Sequence, residues 1–310
     1  MQLLAVGLSV LLQAGCQPNA GDAAPMAAQR PLTGNYQLAE SWITGAPKEI
    51  EGVSAAAVDA NGSVYAFRRK DAGNPNGGDV WIIDRDGKFV ESWGQDIAQW
   101  THGIRVDPQG NIWTIDGQGH TIKKWSPDHS QLLMTLGQDG VSGVGPNNFN
   151  RPTDVAWAPN GDFFISDGYV NKRVVKFDKD GKYIKEWGGQ DTEFNTVHSI
   201  VVDRRNRVLV ADRNNARIQI FDLDGNFLTQ WTHLGSPYAL WLTADDRLYI
   251  ADGVTERVWI VNAADGALLE TIEGTKDIHW VTVDQDDNVY AASNQSHYLR
   301  KYSRAATASR

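Results

Sequence analysis

One cysteine, Cys16, stands in the whole chain of 310 residues. Without a second there is no intramolecular disulfide, so the fold must stand on its core alone. Basic residues are in deficit: 29 Lys and Arg face 38 Asp and Glu, a net charge of −9. Nucleic acid requires a basic footprint, and that charge balance excludes it as a partner. Past the N-terminus no stretch approaches the roughly 20 consecutive apolar residues of a membrane helix. What is plentiful is glycine, with 30 copies, and tryptophan, with 12. Together they suggest many short strands joined by tight turns.

The N-terminus reads as a targeting segment. Residues 1–16, MQLLAVGLSVLLQAGC, form an apolar run ending in small residues, as an export signal does. Cys16 directly follows Ala14-Gly15, which resembles a bacterial lipobox, with Gln13 where the pattern usually has Leu. A leftover cysteine in an exported chain needs a special role, and lipid attachment supplies one. An ordinary thiol is the alternative. The polar, Ala/Pro-rich stretch 17–34 reads as a linker. The expected location is therefore periplasmic, outer-membrane-anchored or secreted, with membrane contact only through the lipid. The remaining domain, 35–310, is expected to be monomeric.

That domain is a repeat. TVHSIVVD (196–203) recurs as WTHGIRVD (100–107) and DIHWVTVD (277–284), and aligns with GVSAAAVD (52–59), RPTDVAWA (151–158) and PYALWLTA (237–244). The eighth positions, 59, 107, 158, 203, 244 and 284, are 48, 51, 45, 41 and 40 residues apart. Turn triplets follow (ANG, PQG, PNG, RRN, ADD, QDD), then apolar runs such as NIWTI and RVLVA. Third and fourth runs follow in the middle copies, as in RVVKFDKDGKYIKEWG. Four short strands repeated every 40–50 residues mark propeller blades. The last copy stops after its third strand, HYLRKYS (297–303), and a matching fourth strand, YQLAESW (36–42), stands at the start. The prediction is an all-β, six-bladed β-propeller of four-stranded antiparallel blades, its ring closed by the N-terminal strand, which removes two exposed sheet edges.

In a propeller the first strand of each blade lines the channel. The octamer's third position then gives one equivalent slot per blade: Ser54, His102, Thr153, His198, Ala239 and His279. Three of the chain's seven histidines fall there, in alternate blades, where their side chains can converge on the axis. Three neutral imidazoles aimed at one point suit Zn²⁺ and leave a coordination position open, as catalytic sites do. Three separately hydrogen-bonded channel histidines are the alternative. His120, His129, His233 and His297 lie in or near turns, connections and outer strands, where surface or hairpin roles are expected.

A second slot follows each second strand: Arg69, Gly117, Gly168, Arg213, Gly253 and Asn294. Arg69 and Arg213 stand in opposite blades. They suit either the charged rim or, near a metal, a carboxylate or oxyanion substrate. The aspartates just before this slot, Asp116, Asp167, Asp212 and Asp252, read as turn-bracing acceptors.

RPTDVAWAPNGDFFISDGYVNKRVVKFDKDGKYIKEWG (151–188), with VHSIVVDRRNRVLVADRNNARIQIF (197–221), resembles the catalytic core of peptidyl-α-hydroxyglycine α-amidating lyase. WTHGIRVDPQGNIWTID resembles that family's first metal motif, and the repeats more broadly resemble NHL repeats. The resemblance covers roughly 50–310. It implies zinc on His102, His198 and His279, the three that the register selects independently. It implies cleavage of a carbinolamide N–C bond, giving an amide and glyoxylate. Tyr169, in DGY, matches the family's general base, and Arg69 and Arg213 match its arginines. The family's motifs read Pro-His where this chain has Thr101, Val197 and Ile278 before the histidines. Trp280 replaces an aspartate that helps hold structural calcium, which puts Ca²⁺ in question. Asp277 replaces a methionine near the zinc, so a more acidic pocket is expected. The reading is a zinc-dependent carbon–nitrogen lyase acting on a small molecule or peptide with a carboxylate. The alternatives are a metal-dependent lactone or ester hydrolase on the same site, and a non-enzymatic extracytoplasmic binding module.

Overall fold

The computed structural model describes residues 35–69, 77–188 and 193–305; the expected export signal, Cys16 and the linker lie outside them. Twenty-four strands form six four-stranded antiparallel sheets among the described residues. Each sheet is a blade in sequence order, apart from the last. The inner strands are Val53–Val58, Thr101–Val106, Asp154–Trp157, Val197–Val202, Pro237–Leu242 and Trp280–Val283. They are buried almost throughout, which is why their sequences run apolar instead of alternating. The outermost strands, such as Phe89–Trp93 and Phe227–Trp231, are largely exposed.

The turn triplets explain themselves physically. Where the octamer ends in aspartate, its carboxylate accepts amides two and four residues on: Asp203 takes Arg205 N–H at 2.9 Å and Arg207 N–H at 2.8 Å. The third triplet residue is left-handed, with φ +86° at Gly62 and +58° at Asn206. Glycine and Asx residues tolerate that conformation, so ANG and RRN are one turn written two ways.

The same turn corrects the register in blade 5. Its first-strand acceptor is Thr243, whose N–H pairs with Arg247 O at 3.0 Å as Asp203 N–H pairs with Arg207 O at 2.9 Å. Ending that octamer at residue 244 overlapped the ADD turn by one residue. The slot equivalent to His198 is therefore Tyr238 and not Ala239. In four blades the slot residue is the extra residue of a β-bulge: Ser54, His102, His198 and Tyr238. A bulge re-aims a side chain and interrupts pairing, and here it turns the slot toward the channel.

The ring closes as expected. Tyr36–Ala39 pairs antiparallel with Tyr298–Arg304 and becomes the fourth strand of blade 6. The following segment straps blade 6 to blade 1. Trp42 donates its indole N–H to Leu299 O at 3.1 Å and meets Tyr290 edge-on at 5.2 Å. Thr44 then exchanges two 2.8 Å backbone bonds with blade 1, through Gly87 O and Phe89 N. A Cβ on Gly87 would lie 2.1 Å from Trp42 O, so only glycine admits the strap.

Removing this closure exposes two sheet edges and the surface that Trp42 covers. A chain truncated through Trp42 is expected to lose several kcal/mol, by analogy with core aromatic truncations. That corresponds to a melting temperature lower by on the order of 10 °C. A chain truncated only through Gly34 should melt like the full chain. Equal melting of the two truncations in a calorimetric scan would remove the closure argument.

Candidate metal centre

The inner strands bring His102 and His198, each at a bulge, together with His279, just before its strand, to one point. All three are buried, and their ligand atoms lie within 4.8 Å of one another. Each imidazole makes the same second bond. Nδ1 of His102 donates to Thr153 O at 2.8 Å, His198 to Tyr238 O at 2.5 Å and His279 to Ser54 O at 2.6 Å. With the corrected register, these acceptors are the slot residues of the next blade in every case. The carbonyls fix one tautomer, with Nδ1 protonated and the Nε2 lone pair facing inward.

Burial is the main force holding the three rings neutral, and His279 is lowered to about 3. His102 and His198 are also pushed well down by burial, with neighbouring histidines and Arg69 or Arg213 adding to it. Nε2 of His102 and Nε2 of His198 face each other at 3.2 Å. With both Nδ1 atoms protonated, neither of these nitrogens has a proton to give. Zinc–imidazole bonds of about 2.0–2.1 Å at tetrahedral angles place ligand nitrogens about 3.3 Å apart. The donor set therefore fits a borderline metal, and the three histidines could hold one.

Tyr169 stands at the open side. Its hydroxyl lies 2.9 Å from His198 Nε2 and 3.2 Å from His102 Nε2, and its one proton can serve only one of them at a time. Burial pushes the phenol up, while Arg213 and then Arg69 pull it back. Arg213 Nη1 reaches the phenol oxygen at 3.4 Å. Arg69 lies across the site, donating to Thr101 O at 3.1 Å with its guanidinium 4.8 Å from the Trp100 ring. The structure thus brings Tyr169, Arg213 and the histidines into direct contact and sets Arg69 one ring away.

Asp277 and Trp280 are each engaged by neighbouring side chains. Asp277 accepts from Ser296 Oγ at 2.6 Å, so its carboxylate is taken up within the same blade. Trp280 is fully buried, stacks on His279 and carries the Arg105 guanidinium at 4.8 Å. Arg105 forms a two-pronged pair with Asp154 at 2.9 and 2.6 Å and reaches Leu240 O at 2.8 Å. Asp154 also accepts from Ser199 Oγ at 2.6 Å. This buried cluster ties together the inner strands of blades 2 to 5. Nothing in the repeat pattern signalled it, because Arg105 stands at a different register position from Asp154 and Ser199, which share one but differ in residue type. The turn aspartates act as expected: Asp116 accepts the N–H groups of Gln99 and Trp100 at 2.6 and 2.9 Å.

Comparison with known proteins agrees with this architecture. The NHL repeat model matches residues 194–221, a stretch that includes His198 and Arg213. Human NHL repeat-containing protein 3 is 31% identical over 314 residues, covering 88% of this chain and 89% of that protein. The chain belongs to the NHL-repeat-containing proteins. Within that family it is also similar to a probable peptidyl-α-hydroxyglycine α-amidating lyase of Caenorhabditis elegans, 34% identical over 197 residues. That match spans 56% of each chain, so only about half the length of this relative is represented. The resemblance read from the motifs is thus borne out. Among solved structures, a gluconolactonase of Xanthomonas campestris superposes with a TM-score of 0.63 at 16% identity, over 82% of this chain and 86% of that one. At that identity the likeness is one of fold.

Two outcomes follow from the geometry. Supplied with zinc, the purified protein should bind about one ion per chain. His198→Ala should lose most of it while keeping its β-rich circular dichroism, since no strand depends on that ring. Less than stoichiometric metal in the wild type would remove the site. The metal-free protein should lose stability on acidification. The unfolded chain takes up protons below about 6.5, whereas folded His279 does not until about 3. Stability should therefore fall as pH drops through that window and level off below it. His279→Gln should flatten the slope in urea unfolding; an unchanged slope would contradict the burial argument.

Proposed function

We propose that this chain is a metal-dependent lyase that cleaves the carbinolamide N–C bond of a substrate ending in α-hydroxyglycine, releasing an amide and glyoxylate. The observation that carries the reading is the Tyr169 hydroxyl, within hydrogen-bond distance of two inward-facing imidazoles and backed by Arg213. Similarity to a probable amidating lyase supports it.

His102, His198 and His279 would hold zinc, whose contribution when bound is Lewis acidity that lowers the pKa of a hydroxyl. Tyr169, as the phenolate, is placed to take the proton of the carbinol hydroxyl at its oxygen. As the C–O bond becomes a carbonyl, the C–N bond breaks, and Tyr169 returns the proton to the departing nitrogen. The atoms balance with no water consumed. Arg213 offsets the charge on the phenolate while it lasts. Arg69 and Arg213 present fixed donor forks to the glyoxylate carboxylate, which a point charge would hold less directionally. The substrate class is therefore a small molecule or peptide with a free carboxylate.

The test is glyoxylate release from a hydroxyglycine-extended peptide by zinc-loaded protein. Tyr169→Phe should keep the metal and lower kcat by roughly 10²–10⁴, the usual range for a lost acid–base group. Full activity in Tyr169→Phe would remove it as the base. Stoichiometric metal with no glyoxylate, together with lactone or ester cleavage, would move the reading to a hydrolase.

A further inference from the structure

The slot after each second strand holds arginine in blades 1 and 4 and glycine in blades 2, 3 and 5. Neither Gly117 nor Gly253 has a left-handed backbone, so conformational freedom does not explain them. Space does. A Cβ on Gly117 would lie 2.4 Å from Cε3 of Trp100, and a Cβ on Gly253 would lie 2.8 Å from Cε2 of Tyr238. Gly117 and Gly253 thus leave space for an aromatic ring of their own blade, Gly253 also facing Ile278 O at 2.9 Å, whereas Gly168 faces the backbone at Val197 O.

Each ring in turn carries the arginine of the preceding blade. The Arg69 guanidinium is 4.8 Å from the Trp100 ring, and that of Arg213 is 4.7 Å from the Tyr238 ring. Both rings also touch the histidines: Trp100 meets His102 at 5.7 Å, and Tyr238 meets His198 at 5.5 Å. The arrangement occurs twice, in blades 1–2 and 4–5, on opposite sides of the axis. The two rings come from different register positions, so the repeat unit alone does not account for it.

We propose that Trp100 and Tyr238 are positioning residues, each orienting one arginine of the carboxylate clamp by stacking beneath it, with Gly117 and Gly253 providing the space for the rings. The proposal rests on the reading that these arginines bind a carboxylate. A long arginine loses considerable rotamer freedom when fixed, and a cation–π platform supplies that order. Trp100 is nearest to Arg69, with Arg151 farther off at 5.9 Å, and Tyr238 is nearer to Arg213 than the Tyr169 ring at 5.3 Å. Replacing the Tyr238 side chain leaves its backbone carbonyl in place for His198.

The experiment is a double-mutant cycle, reading the Kd of glycolate for the zinc-loaded full chain by calorimetry. Trp100→Leu should weaken glycolate about tenfold. It should add nothing further in an Arg69→Ala background, yet multiply the loss in an Arg213→Ala background. Tyr238→Leu should show the reverse pairing. Trp100→Phe, which keeps a ring, should stay within about threefold of wild type and serves as the folded variant if the leucine loses metal. Gly117→Ala, which displaces the ring and alters none of the other named side chains, should reproduce the Trp100→Leu loss. Multiplicative losses in the matched pairs, an unchanged Kd in Trp100→Leu, or no glycolate binding by the wild type would each overturn the proposal. Glyoxylate release is followed in parallel. Wild type that shows the pairing but releases no glyoxylate would retain the clamp and discard the lyase; release with unpaired losses would discard the clamp geometry alone.

Discussion

Each inward-facing imidazole is held by a backbone carbonyl of the next blade, and the rest of the site depends on that bond. His102 is fixed by blade 3, His198 by blade 5 and His279 by blade 1. Histidine blades therefore alternate with carbonyl blades. The carbonyl selects the tautomer, and the tautomer turns the free lone pair inward. A slot residue supplies this carbonyl whatever its side chain, which leaves Ser54, Thr153 and Tyr238 free to differ. The third of these bonds crosses the seam where the ring closes. His279 keeps its orientation only while blade 6 lies beside blade 1, so the strand at Tyr36–Ala39 and the Trp42 strap sustain the centre from the far side of the blade.

Burial sets the electrostatics of the centre. Imidazoles out of water stay neutral, and the two guanidiniums nearby reinforce that by repelling added protons. The same burial pushes Tyr169 up, against the pull of the arginines. A phenol in that balance responds strongly to any added positive charge. Deeper in the channel, Arg105 and Asp154 bury a full ion pair with a bidentate geometry. Such a pair contributes little net stability against a hydrophobic replacement, but it is strongly directional. Its bonds reach Ser199 and Leu240, the residues beside His198 and two beyond Tyr238, so it bears on the register of the strands that aim the histidines.

The six blades, the closing strand, the three histidines and the two arginines were all legible in the chain. Each leaves a periodic trace: a repeated octamer, a turn triplet, a residue type recurring in one register. The turn chemistry was legible as well, since glycine, asparagine and aspartate are interchangeable where φ is positive. Tyr238 was misplaced by one residue because two adjacent turn residues, Thr243 and Ala244, were indistinguishable without the hydrogen bond that Thr243 makes. A β-bulge has no signature in apolar patterning, so the bulges at four of the slots became visible only in the structure.

What the sequence by itself determined is the identity and number of blades and the residue types available at each slot, because local hydrogen bonding and strand periodicity repeat along the chain. Only the tertiary structure decided how the slots meet. Convergence of three lone pairs, the inter-blade carbonyl locks, the arginine-on-ring stacks over Gly117 and Gly253, and the Arg105–Asp154 pair all join residues tens to hundreds of positions apart. Their geometry is set by ring closure and close packing, which no local pattern encodes.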